Sequence, residues 1–557
     1  MIISKTEDGK NIYLSWREDG VKQSKTVNFR PYFYILDSSG EIPSYKPSKY
    51  LERDFDYEEG DWVNLEGNKL KKVYVDNSFD VYKAKELFAT TYEADVPYHF
   101  RYAVDNIHEM PEYKMRKWYW DMEWQQGGEH HDKITTIVMY DNYEKKYYQW
   151  VWFPEGHESH VTSQVIGYNR ETKHNTYFCR DEAFMLESFI TAMIDKDPDM
   201  LIAWFGNFAD IPKLLERCCA LGLNPKRMSP TSFIKGVKKS KDGFTFAYSE
   251  NGFSPIEQPI GGRITLSLDL AFERQWNDSQ RGTLPSLSLD YVGELVLNKK
   301  KLVSEKFSDT NEFYRRAWLE DTQTYLDYAI KDVELIVELD ETNYCSEAIL
   351  SLQRLLKAPF DACFYASHMG SIYFMRNAWW KAPTGNKNVK REDYQGAMIY
   401  HPESEGTNGL HLGVAAFDFA GLYPSMIVAR NISWETLSDT PTEFGANILT
   451  PRDFSEVTET DMVYFKTDEL GLLPKAILEL KELRDYYKKR MKSAEDKLEY
   501  AKWYNNQMAV KRLSASFYGI IAFQGFGWAN VKLAASITAS AREAIRLAAF
   551  AARELEA

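Results

Sequence analysis

Apolar and polar residues alternate over residues 1 to about 105, in stretches such as NIYLSW, KTVNFRPYFYIL and KKVYVDN with turn residues between them. A period of two is the pattern of half-buried strands, so a β-rich leading domain is expected. From 106 to 340 the pattern changes. Short apolar runs (ITTIVMY, DMLIAWF) alternate with stretches of helical period such as IPKLLERCCALG, which Gly222 closes. Strands alternating with helices predict an α/β domain. Residues 341–380 read as helical, and strands and turns return between Gly396 and Val428. Gly471 opens a long charged stretch, LLPKAILELKELRDYYKKRMKSAEDKLEYAKWYNNQMAVKRLSAS, whose one proline, Pro474, stands near its start. One long helix or a helical hairpin is expected there, and the Ala-rich stretch from Val531 is helical again.

Length and composition narrow the class. At 557 residues the chain exceeds what one core can organise, so several domains are expected. No apolar run reaches the roughly 18 residues of a membrane helix, and MIISKTEDGKNIYLSW lacks the apolar core of a signal peptide, so a soluble intracellular protein is expected. The five cysteines form no C-x-x-C pair, and neither a disulfide framework nor a zinc site is indicated. A net charge of −14 argues against a chain coated in basic residues for nucleic acid. A local groove stays open, because steering depends on where charge sits. Candidate clusters are Lys235–Lys241, Lys299–Lys301 and Lys488–Lys492, though such a cluster alone is more often a solvated loop or helix face than a binding site.

The acids carry the first chemistry. KWYWDMEW places Asp121 and Glu123 two apart on a strand, so both carboxylates point to one face. Like charges held together call for a cation, and oxygen-only ligation suits Mg²⁺ or Mn²⁺. Asp210 stands at the opening of a helix, where capping alone would explain it. Tyr328 and Asp332 lie four apart and share a helical face, where a solvent-facing acid is the simpler reading. Farther on, FDFAGLYPSMI sets Asp418 at the end of an expected buried strand, Val414–Phe417. Gly421 permits close backbone approach and Pro424 suits the first turn of a helix.

Together these pieces resemble the family B DNA polymerases. The resemblance implies an α/β multidomain chain. It comprises a β-rich N-terminal domain (1–105, with part of 341–380) and an RNase H-like 3′–5′ exonuclease domain (106–340). The first part of a palm (381–470), helical fingers (471–532) and the start of a second palm segment (533–557) complete it. In the exonuclease domain it implies Asp121, Glu123, Asp210 and Asp332 as metal ligands, with Tyr328 orienting the attacking water. DFAGLYPSMIVARNIS resembles the palm motif D-x-x-S-L-Y-P-S, with Gly421 in place of Ser. Asp418 is then a ligand of both catalytic metals, Leu422 a backbone cradle for triphosphate, and Tyr423 the residue that excludes ribonucleotides. YQGA is similar to the template-contacting Y-x-G-G/A element, which brings in Tyr394, Gly396 and Ala397. KRLSASFYG resembles K-x-x-x-N-S-x-Y-G. On that match Arg484, Lys488 and Lys511 grip the incoming triphosphate, while Tyr518 and Gly519 lie against the nascent base pair.

Two positions depart from the family pattern. Phe205 stands where an Asn is usual, five residues before Asp210, with Asn207 close by but out of register. Ala515 replaces the Asn of the fingers motif. The Y-G-D-T-D-S hairpin is absent after Gly519, as is a thumb, so the resemblance implies a polymerase completed by a second polypeptide, or a truncated one. The partners implied are primer–template DNA, dNTPs and that C-terminal polypeptide, with a sliding clamp a further candidate and no membrane. Two metals per active site and a cytoplasmic setting in a bacterial or archaeal host, with a viral origin, complete the expectation. A stand-alone exonuclease and a non-catalytic DNA-binding scaffold are the alternatives.

Overall fold

The alternating leading segment forms two three-stranded antiparallel sheets, one in each of two compact units of the computed structural model. The structure describes residues 1–38, 55–169, 174–248, 252–278, 282–302, 304–307, 309–386, 388, 390–398, 409–410, 412–414, 418–448 and 461–554. The first unit is Met1–Phe29 with Asn106–Phe364, and the second is Arg30–Asp105 with Tyr365–Ala557. Residues 1–105 are therefore shared between the two rather than standing as one domain.

Side chains explain the division. In the first unit, Ile2–Lys5, Asn11–Glu18 and Val21–Asn28 form a sheet whose second turn is Asp19-Gly20. Both turn residues have positive φ, 50° and 82°, as a two-residue hairpin of right-handed twist requires. This sheet is tied to the rest of the unit by Arg17, whose Nε donates to Asp199 at 2.5 Å, and by Lys22, which donates to Asp197 at 3.0 Å. In the second unit, Tyr32–Leu36, Lys69–Tyr74 and Asp56–Val63 form the sheet. Arg376 donates to the carbonyl of Ala103 at 2.6 Å, and Thr91 donates to Thr384 at 2.8 Å, anchoring 30–105 to 365–557.

A seven-stranded mixed sheet organises the first unit. Its order is Val165–Asn169, His174–Cys179, Lys146–Trp152, Ile134–Asp141, Lys117–Trp124, Met200–Ala203 and Ile264–Ser267. Lys117–Trp124 pairs antiparallel with Ile134–Asp141 and parallel with Met200–Ala203, so it lies inside the sheet, covered on both faces. Trp118, Trp120, Trp150 and Trp318 are fully buried in its core.

The second unit is helical toward its end. The helices are Ala366–Asn377, Leu422–Ala429, Leu472–Lys492, Lys497–Ala522 and Val531–Glu554. The charged stretch is therefore a helical hairpin, and Asp496 caps its second arm by accepting from the Glu499 amide at 2.8 Å. Phe374, Trp434 and Trp528 pack ring against ring, with centroids 5.0–5.5 Å apart. No helix among the described residues is long and apolar enough to cross a membrane.

Candidate active sites

The first site grows from strand parity. Trp118 and Trp120 point to the face of Lys117–Trp124 that packs on helix Glu182–Lys196, each 6.0 Å from the Phe189 ring. Tyr119, Asp121 and Glu123 point to the other face, toward helix Thr322–Asn343. There the Tyr119 hydroxyl donates to Asp340 at 2.7 Å and fixes the register. From Asp340 back to Asp332 is about 12 Å of helix, and from Tyr119 forward to Glu123 is about 13 Å of strand. Asp332 thus arrives level with the strand pair. Carboxylate oxygens of Asp121, Glu123 and Asp332 lie within 4.8 Å of one another. The pairing register shifts between Glu123 and Trp124, an irregularity of the sort that re-aims side chains beside a site. Asp210 opens helix Asp210–Ala220, yet Ala209 holds the N-cap position, leaving Asp210 to line a cavity of about 600 Å³ with the other three acids.

Burial sets the electrostatics. It pushes the Asp121 carboxyl up to about 7, with the charge of Asp332 adding to it. Glu123 and Asp210 are raised well above the usual carboxylate range by burial and then by Asp121. Asp332 is raised by burial, with Lys301 opposing. For Lys301, burial works to lower the pKa, but the surrounding carboxylates, Asp332 foremost, outweigh it and the net shift is upward. Its Nζ lies 2.5 Å from Asp332 Oδ2 and 2.9 Å from the Tyr328 hydroxyl, which also meets the Tyr314 hydroxyl at 2.8 Å. Asp332 Oδ1 is buried without a hydrogen-bond partner. An orphaned carboxylate oxygen among clustered acids fits a hard divalent cation, which Asp121, Glu123, Asp332 and Asp210 would hold.

Lys301 and Tyr314 escaped the sequence reading. Sequence makes Lys301 one of a candidate basic cluster with Lys299 and Lys300, whereas all three are paired: Lys299 with Glu338 at 2.6 Å, Lys300 with Glu294 at 2.9 Å, and Lys301 with Asp332. The basic hairpin Val237–Ser240 and Gly243–Phe246 differs, since Lys238, Lys239 and Lys241 are exposed and without an ion pair among the described residues. Asn207 turns inward. Its amide donates to the carbonyls of Ser254, Pro255 and Glu257, so it cannot replace the amide missing at Phe205.

The second site lies in the second unit. Tyr423, Arg484, Lys488, Lys511 and Tyr518 line one cavity of about 660 Å³, together with Gly421 and Ala515. The rings of Tyr423 and Tyr518 lie 4.7 Å apart, and the Tyr394 hydroxyl meets that of Tyr518 at 3.1 Å. Gly421, with φ of +70°, turns the chain into helix Leu422–Ala429. Asp418 is exposed just before this turn and, like Leu422 and Gly519, is not part of the lining. Ala415–Phe417, most of the strand expected to deliver Asp418, lie outside the described residues, and Val414 is exposed. Around Gly396 the space is open, with Ala397 exposed beside it. Arg542, missed from sequence, is fully buried on helix Val531–Glu554 and donates to the carbonyls of Gln395 and Gly396, both at 2.7 Å.

Comparison with known proteins agrees with this architecture. The family model for DNA polymerase family B matches residues 372–554. A DNA polymerase of Pyrococcus glycovorans is 25% identical over 99% of this chain and 67% of its own length. One from Thermococcus sp. (strain 9oN-7) is 26% identical over the same shares. The DNA polymerase delta catalytic subunit of Candida albicans is 25% identical over 74% of this chain and 38% of its own. The solved family B DNA polymerase of Pyrobaculum calidifontis superposes with a TM-score of 0.68 at 18% identity, over 99% of this chain and 71% of that one. The chain spans about two thirds of the length of its archaeal relatives. The family match over 372–554 and the relatives aligned along almost its whole length make the chain similar in sequence, and the superposition makes it similar in fold, to the family B DNA polymerases.

Proposed function

We propose that this chain is a DNA-directed DNA polymerase polypeptide with an intrinsic 3′–5′ exonuclease, acting on primer–template DNA and dNTPs with Mg²⁺ or Mn²⁺. One observation carries the exonuclease: Asp121, Glu123 and Asp332 converge within 4.8 Å from a strand and a helix far apart in sequence. Bound divalent ions would supply an activated water and charge stabilisation at the leaving oxygen. The protein's own part is positional. Tyr328, clamped between Lys301 and Tyr314, holds its hydroxyl where a water can be oriented. Lys301 adds positive charge where negative charge develops on the scissile phosphate.

For synthesis, Arg484 offers a planar fork and Lys488 and Lys511 point charges to the triphosphate. Tyr423 would lie under the sugar, and Asp418 contributes a metal ligand. Residues 1–557 hold no Y-G-D-T-D-S motif, so the second pair of palm carboxylates is drawn from beyond them, on a further segment or a second polypeptide. The test is digestion of a 5′-labelled single-stranded oligonucleotide with Mg²⁺. A ladder shortening from the 3′ end is expected from the parent and none from Asp121→Ala with Glu123→Ala. Equal digestion by both would end the exonuclease reading.

A further inference from the structure

We infer that Phe205 is the platform on which the unpaired 3′-terminal base stacks as a single strand enters the acid cavity. The inference rests on the exonuclease reading of that cavity. Between strand Met200–Ala203 and helix Asp210–Ala220 the chain makes a tight turn, in which the amides of Phe208 and Ala209 both donate to the Phe205 carbonyl at 2.9 Å. The turn is pinned from behind. Trp204 Nε1 donates to the Leu287 carbonyl at 2.7 Å, the Asn207 amide N–H donates to Ser267 Oγ at 3.0 Å, and the Asn207 side chain spends its donors on three carbonyls.

A rigid turn that sends its amide inward sends its ring outward. Phe205 is 37% exposed, yet it lines the cavity shared by Trp124 and the four acids. The ring meets the Trp204 ring edge to face at 6.4 Å and keeps its exposed part at the mouth. An aromatic face beside a phosphate-cleaving site meets the one feature all four bases share, their π-face, so the grip is tolerant of sequence. A hydrogen-bonding amide at this position would read the strand's polar edge. The ring instead favours ends that are unpaired, and purines over pyrimidines because their stacking area is larger.

The test uses the full chain. With the turnover-blocked Asp121→Ala background, an oligonucleotide carrying 2-aminopurine at its 3′ end reports stacking as fluorescence quenching. Phe205→Ala should lose that quench, and in the otherwise unaltered protein it should raise KM for single-stranded DNA about tenfold while changing kcat far less. Phe205→Trp should keep both the quench and the low KM, which separates stacking from a folding defect. Quenching and KM unchanged in Phe205→Ala, beside normal cleavage, would overturn the inference and leave the exonuclease standing. Absence of cleavage in the parent with a Phe205-dependent quench would instead overturn the exonuclease and keep the platform.

Discussion

Lys301 Nζ stands 2.5 Å from Asp332 Oδ2, deep enough that Asp332 is almost fully buried. The ammonium offsets charge that the acid cavity would otherwise carry uncompensated. Lys301→Met keeps the stem and removes the charge. It should destabilise the metal-free protein by about 3 kcal/mol, the scale of breaking a buried pair from one side. Because the acids then repel more strongly, Mg²⁺ should raise Tm further in Lys301→Met than in the parent. Thermal unfolding in EDTA and in Mg²⁺ measures both, and equal Mg²⁺ shifts would contradict the role given to Lys301.

A second acid responds to pH. Asp269, in the first turn of helix Leu268–Asp278, has a buried Oδ1 without a partner. Burial pushes its carboxyl up to about 7, with Glu273 adding and the Leu270 amide opposing. A raised folded pKa means the folded form holds a proton that the unfolded form releases near 3.8, so this group's contribution to stability falls as pH rises from about 4 through about 7. Asp269→Asn removes the titration. Its stability advantage should be smallest at pH 4 and grow by the order of 2 kcal/mol or more by pH 8. Melting curves at the two pH values check this, and an advantage that shrinks with rising pH would reverse the argument.

DNA binding should depend on salt through the Lys238, Lys239 and Lys241 hairpin. Each phosphate contact removed flattens the slope of log affinity against log salt by about 0.7 for single strands. Replacing the three lysines with alanine should therefore flatten it by roughly 2. Replacing Lys299 and Lys300 should do little, since both already face carboxylates. Affinity titrations over a range of salt concentrations distinguish the two sets, and an equal loss of slope from both would restore the wider groove.

What the sequence disclosed follows the reach of local period. Asp121 and Glu123 share a face because strand parity is two, and Tyr328 and Asp332 share one because a helix turn spans them; neither needs tertiary knowledge. The helical period of 471–516 was legible for the same reason, but it left one long helix or a hairpin open, and the Asp496 cap that divides the two arms shows only in the structure. Lys301 was not, because its partner is 31 residues away and the intervening chain decides which of three adjacent lysines turns inward. Residues 1–29 and 30–105 have the same alternation, and their assignment to different units depends on long-range anchors such as Arg17 to Asp199 and Arg376 to Ala103. Asp210 looked like a cap from sequence, but the helix takes Ala209 for that place.

Ligand count decides whether the palm can support synthesis. Residues 1–557 on their own should not extend a primer, and adding a polypeptide that bears the second palm carboxylate pair and a thumb should restore extension. Asp418 offers one carboxylate to a centre that needs several oxygen ligands for two ions. Arg484, Lys488 and Lys511 line the cavity of Tyr423 but are cations, so they can hold a triphosphate and cannot replace a metal ligand. In the complemented enzyme, Asp418→Ala should abolish extension while the 3′–5′ ladder persists, because the acid cluster of Asp121, Glu123 and Asp332 contains no residue of the palm. Tyr423→Ala should admit ribonucleotides, since its ring is held against Tyr518 at 4.7 Å and its loss opens the cavity wall. Primer extension assays with dNTPs and rNTPs read all three variants. Template-directed extension by residues 1–557 without complement would refute the ligand-count argument at its first step.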